Sequence, residues 1–240
     1  PLVIIAMTSI GTENYIAFPP KGFSLQWFIT VFKSESFIKS MGTSFLISTV
    51  STLSALVIGM PAAYGLSRYN FKGKDILKSF FFSPLIVPGI VVGVSLFQFL
   101  LVKMNLSVYA SLFIGHTLII IPYIIRVVGS SLEGFDYSIE EAAMSLGCKK
   151  SQTFFKVVLP NITSGVMAAF MLAFINSFNN VPVSIFLTGP GVSTLPTTMM
   201  NYVEYNYDPT VSALSVILMI LTIGIMYILE KTLGLNNFAG

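Results

Sequence analysis

The sequence predicts an all-α integral membrane protein, and three observations carry that prediction. Hydrophobic residues make up 54% of the 240 residues and charged residues only 10%, against about 25% charged in an ordinary soluble domain. The apolar residues fall in runs long enough to cross a hydrocarbon core as helices. Those runs lack the period-two alternation of a membrane barrel, and in lipid a helix satisfies its own backbone.

Taken in order, the opening PLVIIAMTSI supplies about half of the ~20 apolar residues of a span and reads as a first span truncated at its start. It shows neither the basic flank nor the small-residue cleavage site of a signal peptide. Complete runs follow at 41–67, 76–102, 106–130, 161–187 and 209–229. They predict five full spans beside the fragment, in a single transmembrane domain over 1–240.

Lysine and arginine orient these spans. The connection SRYNFKGKDILK holds Arg68, Lys72, Lys74 and Lys78; the long connection after the fourth span (106–130, counting the fragment as the first) holds Lys149, Lys150 and Lys156, with Arg126 at the preceding helix end. Basic loops mark the cytoplasmic side. The opposite side carries Lys21, Lys33, Lys39 and Lys103, partly offset by Glu13 and Glu35. Both termini, including Lys231, are therefore expected in the cytoplasm and residues 11–40 outside, with Trp27, Tyr202, Tyr205 and Tyr207 in an outer aromatic belt. The formal charge of +3 is scattered and leaves no nucleic-acid footprint. A single cysteine, Cys148, excludes an internal disulfide framework, and the lone His116 argues against a metal cluster.

Between two of the spans lies EEAAMSLGCKKSQTFFKVVLP, residues 140–160. Ser138 followed by Glu141 has the spacing of a capping box, and Glu140 and Glu141 suit the positive end of a helix dipole. Ala142, Ala143, Met144 and Leu146 give that helix a small, apolar surface, and Gly147 is suited to its C-cap. Ser151 begins a second helix that leads to Pro160 at the foot of the fifth span. By physical chemistry alone, a helix lying against the headgroups and a helix that docks a partner fit equally.

The spacing is more specific. Glu141-Ala142-Ala143, three residues, Gly147, nine residues, then Val157-x-Leu159-Pro160 closely resembles the EAA loop of bacterial ATP-binding-cassette (ABC) importer permeases, with Val157 in place of isoleucine. FPPKGFSLQWF, GTSFLISTVSTLSALVIGMPAAYGLSRYNFKGK, SPLIVPGIVVGVSL and FLTGPGVSTLPTTM extend the resemblance along the chain, in the order seen in the second permease of spermidine/putrescine-type transporters.

The resemblance implies a six-span type I importer permease core, in a bacterial inner membrane, with residues 138–160 as its cytoplasmic coupling loop. It implies that Glu140, Glu141, Ala142, Ala143, Met144, Leu146 and Gly147 meet an ATPase subunit. It further implies two ABC ATPase subunits that use ATP and Mg, no cofactor on this chain, a second and different permease subunit, and an extracellular solute-binding protein. The expected solute is a polyamine; the alternative is another small organic solute, such as a phosphonate or an opine.

In the fifth span Asn176, Asn179 and Asn180 fall on one helical face, with Ser177 and Ser184 near its edges. Hydrogen-bonded glue between helices and contact with solute both fit that face. The resemblance places it on the central path, where Asn176, Asn179, Asn180 and Ser184 are candidates and Pro182 opens the backbone. Related polyamine permeases carry acidic residues near Asn179 and Asn180, whereas this chain is uncharged there. Pro84 and Pro88 with Gly89 and Gly93 suit either a kink at a gate or close packing. For His116 the expectation is a hydrogen-bonded structural role, and for Glu204 and Asp208 a solvated loop.

Other classes fit less well. An ATP-independent secondary transporter or channel calls for intramembrane coupling ions or internal repeats. A membrane enzyme calls for paired acids, HExxH or an activated nucleophile. Neither pattern is found, and GxxxxGK[ST] is absent too, so ATP would be handled by another subunit.

Overall fold

The computed structural model describes residues 2–232. Its elements, in chain order, are α1 (Leu2–Thr8), α2 (Gln26–Lys33), α3 (Glu35–Arg68), α4 (Lys74–Ile86), α5 (Gly89–Lys103), α6 (Val108–Glu133), α7 (Tyr137–Ser145), α8 (Lys150–Asn161), α9 (Thr163–Phe178), α10 (Ser184–Leu187), α11 (Leu195–Tyr205) and α12 (Thr210–Thr232). Three of them, α3, α6 and α12, are each long and apolar enough to cross a membrane. Two further pairs qualify as bent units, α4 with α5 at 98° and α8 with α9 at 76°. Five spans result if each pair counts as one.

The centre of the molecule is the parallel pair α3 and α6, with α9 running antiparallel against both. Small residues make the approach possible. Ser48, Ser51, Thr52, Ala55, Gly59 and Ala63 are buried along one stripe of α3, and a methyl group at Gly59 would lie 2.9 Å from Cγ2 of Ile124. In lipid this close fit, rather than a hydrophobic driving force, holds helices together. Ile120, Ile124, Ile125, Val128 and Leu132 of α6 fill the other side, and Val158, Ile162, Val166, Ala169 and Ala173 close the cluster. A second cluster joins Trp27, Val31, Phe37, Phe174, Phe178, Leu195 and Leu214 at the far end of α3. Large apolar side chains such as Val57, Ile76, Phe80, Ile86 and Ile220 point outward, as a lipid-facing or subunit-facing surface requires.

Several expectations change here. The span predicted at 41–67 begins at Glu35, because the Ser34 hydroxyl accepts the Phe37 N–H and Glu35 sits in the first turn. The span predicted at 76–102 is broken. Pro88 forces Val87 into the extended region, at ψ 133°. By contrast, Pro61, Pro84 and Pro122 lie inside continuous helices. The helix predicted over 161–187 stops at Phe178, with Asn179 at its C-cap, so Asn179 and Asn180 do not extend a helical face. Trp27 is no belt residue: it is buried and donates Nε1–H to the Gly11 carbonyl at 2.8 Å. Tyr205 and Tyr207 are exposed, as expected.

Candidate coupling surface and translocation path

The sequence places a helix after α6, and the structure finds α7 there, with its cap two residues earlier than expected. The N-cap is Asp136 rather than Ser138: an Asp136 carboxylate oxygen accepts the Ser138 N–H at 2.9 Å. That backbone hydrogen bond, joined by one from the Ser138 side chain, holds the Asp136 carboxyl below its ordinary range. Gly147 has φ +93° and closes the helix, as its residue type implies. The Cys148 N–H donates to the Ala143 carbonyl at 3.2 Å and the Gly147 N–H to the Met144 carbonyl at 3.0 Å, which satisfies two carbonyls of the last turn.

The helix has two unlike faces. Tyr137, Glu140 and Glu141, spaced i, i+3, i+4, turn toward Tyr64, Ser67 and Arg68 at the end of α3, which share that spacing. The Tyr64 hydroxyl donates to Glu140 Oε1 at 2.6 Å, and Arg68 Nε lies 3.4 Å from Glu140 Oε2. Arg68 Nη2 donates to Glu141 Oε1 at 2.8 Å, its guanidinium carbon lies 4.9 Å over the Tyr137 ring, and the Tyr137 hydroxyl donates to Ser67 Oγ at 2.9 Å. Burial pushes the Tyr137 phenol up from its ordinary value. The Tyr64 ring packs edge-on against Phe154 of α8, 5.1 Å between centroids. Glu140 is thus only 3% exposed, whereas Ala142, Ser145, Leu146 and Gly147 are exposed on the outward side. Ala143 and Met144 are half-buried between the two faces.

The candidate path residues divide as well. Asn176 donates Nδ2–H to the Leu172 carbonyl at 2.8 Å, and Asn180 Oδ1 accepts the Val183 N–H at 3.0 Å. Both also line a cavity of about 200 Å³ with Tyr123, Ile119, Val87 and Gly89. Asn179 is exposed. Ser184 is fully buried and lies 3.0 Å from Nε2 of His116, whose Nδ1 lies 2.8 Å from the Ser177 hydroxyl. His116 therefore bridges the two sides of the α9–α10 break, a role its isolation in sequence could not show. Pro182 belongs to the same junction. A methyl group at Gly93 would lie 2.5 Å from the Pro182 carbonyl oxygen, so α5 can seat against the break only because residue 93 has no side chain. Pro84 and Pro88 lie at the other edge of that junction, Pro84 in the cavity wall and Pro88 at the α4–α5 bend. At the far surface, Asp208 accepts from the Tyr202 hydroxyl at 2.8 Å and from the Thr210 N–H at 2.9 Å, which caps α12, while Glu204 is exposed.

A membrane bundle with a short, anchored helix presented at one end invites comparison with known transport proteins. Residues 55–234 match the family of binding-protein-dependent transport system inner membrane components. The chain belongs to this family. It is 30% identical to the spermidine/putrescine transport system permease protein PotC of Escherichia coli K12, over 100% of this chain and 90% of that protein. It is 26% identical to the putrescine transport system permease protein PotI of the same strain, over 91% of this chain and 80% of that protein.

Among solved structures, a bacterial ABC transporter that imports the acidic polysaccharide alginate matches with a TM-score of 0.71 at 17% identity, covering 97% of this chain and 89% of that one. The inward-facing MetNI methionine ABC transporter matches at 0.68 and 20% identity, covering 82% and 94%. These likenesses establish the permease fold. The expected all-α membrane architecture and transport role are borne out: the chain is a permease subunit of a binding-protein-dependent system in an inner membrane, and this family is not one of enzymes.

Proposed function

We propose that this permease is one of two transmembrane subunits of an ATP-driven polyamine importer, taking spermidine or putrescine from an extracellular binding protein. The observation that carries the coupling role is the two-faced geometry of α7. Its inner face is fixed to α3, while Ala142, Leu146 and Gly147 project from the side richest in lysine and arginine, which supports a cytoplasmic position for this end and for both termini. In this reading residues 138–160 form the coupling loop of a single domain, and ATP and Mg bind in two ATPase subunits, one of which docks on that outward face. The full-length likeness to PotC supports the substrate class. Solute passes the α9–α10 break beside Asn176 and Asn180, with Asn179 at the surface, and Pro84, Pro88 and Pro182 hold the break that acts as gate.

A second reading keeps the machinery and changes the solute. The cavity beside the break is lined by amides, a phenol and apolar groups, with no charged side chain among the described lining residues to select the sign of a solute, so another small organic solute, such as a phosphonate or an opine, fits it as well as a polycation. Uptake of labelled spermidine by a strain stripped of its own polyamine importers, with this chain and its partner subunits supplied, separates the two. Spermidine accumulation that disappears in Gly147→Leu, with the chain still in the membrane, supports both substrate and coupling surface. ATP hydrolysis without spermidine uptake points to the second reading.

A further inference from the structure

Among the charged groups at the α7 end, Glu140 stands apart. A carboxylate with 3% exposure is costly to bury unless charge and hydrogen bonds compensate it. Here Tyr64 supplies one short hydrogen bond and Arg68 an ion pair, and both come from the last turn and a half of α3. Glu140 is therefore turned away from any partner that docks on the outward face. Neighbouring Glu141 is exposed and reaches the same arginine through the solvent edge.

Apart from its polar side-chain contacts with α3, α7 packs on α8, which follows it in the chain, and a bend lies at each of its ends. Gly134 and Phe135 precede it, and Gly147 with φ +93° follows it. A push on such a helix would be absorbed by those bends unless α7 were fastened to something rigid. α3, a 34-residue helix about 50 Å long, is the rigid element it touches through its polar face, and the Tyr64–Phe154 contact extends the attachment to α8.

We propose that Glu140, through Tyr64 and Arg68, is the positioning residue that locks α7 to α3, so that movement of α7 becomes movement of the central span. This inference rests on the reading of α7 as the coupling helix. Two near-isosteric variants, Glu140→Gln and Tyr64→Phe, and their combination, test it in the assembled complex in liposomes with binding protein and solute. Three readouts are taken: co-purification of the ATPase subunit, ATP hydrolysis, and solute taken up per ATP hydrolysed.

The expected result is retained co-purification with uptake per ATP lower by about tenfold in Glu140→Gln and about threefold in Tyr64→Phe. The double variant should be no worse than Glu140→Gln, because both changes open one contact. Unchanged uptake per ATP, or effects of the two changes that multiply, overturns the proposal. So does loss of ATPase co-purification or of chain from the membrane in both variants, which assigns the contact to assembly instead. Failure of the underlying reading looks different: the unmodified chain would then show no ATP-dependent uptake and hold no ATPase subunit.

Discussion

The α7–α3 junction and the α9–α10 break are both polar sites in an apolar molecule, yet they use opposite chemistry. At the junction, Glu140, Glu141 and Arg68 are ionisable groups that sit on one another and on two tyrosines. At the break, Asn176, Asn180, Ser177, Ser184 and His116 are engaged chiefly with backbone and with each other. The difference follows from where each lies. At the end of the bundle, water lowers the cost of assembling charges, and charged hydrogen bonds give a stiff, directional link. Within the span region a carboxylate would be far more costly, and the polar duty is to satisfy the N–H and C=O groups that an interrupted helix leaves open. In the proposed reading the junction transmits force, whereas the break keeps a gap in a helix stable.

The sharpest way to break this contrast is at the outward face of α7. Leu146 is 88% exposed, so Leu146→Glu should leave the fold intact while uptake falls by about tenfold or more and the ATPase subunit no longer co-purifies. Full retention of the subunit would show that docking lies elsewhere.

Next in size is Gly93→Ala at the break. The added methyl group meets the Pro182 carbonyl oxygen, and the expected cost is about 1–3 kcal/mol, read as a lower thermal midpoint in detergent. Gly65→Ala, where nothing lies within 4 Å, is the matching control and should not lower it.

Asn176→Asp would place a charge where the structure has none. For a polycation it should change half-saturating uptake by about threefold to tenfold; a neutral solute should simply be lost. A variant that behaves as wild type with spermidine would remove Asn176 from the path.

The smallest effect concerns the cap of α7. The Asp136 carboxyl titrates below its ordinary value of 3.8 in the folded chain, so its contribution is present above that value and fades as pH falls through the lower, folded one. Hydrogen exchange of the first-turn amides of α7 should accelerate over that acidic window, and Asp136→Asn should flatten the pH dependence.

Much of this was legible in the residues. The spans announce themselves by hydropathy, and α7 by local chemistry: acidic residues in its first turn, Gly147 at its end, and the Glu141-to-Pro160 spacing. Position of the cap was misplaced by two residues because Ser138 and Asp136 are both good caps, and only the backbone reveals whose side chain reaches an open N–H. Pro88 offered a kink and Pro182 an opened backbone, but the break points at Val87 and Asn179 were not fixed, since a hydropathy run carries no record of chain direction. Proline alone does not reveal them either, because Pro61, Pro84 and Pro122 are accommodated in helices.

What the sequence determined by itself is the solvent of the protein and the kind of elements it uses, because burial in lipid and helix capping are local matters of composition and spacing. Which face of α7 is held and which is offered was decided only in three dimensions. Glu140 and Leu146 sit six residues apart in one motif, and their contrast depends on Tyr64 and Arg68, more than seventy residues earlier. The same holds for His116, paired with Ser177 and Ser184 only once α6 and α9 lie antiparallel. Long-range pairing of this kind follows from close helix packing, which a linear pattern of hydrophobic and polar residues does not encode.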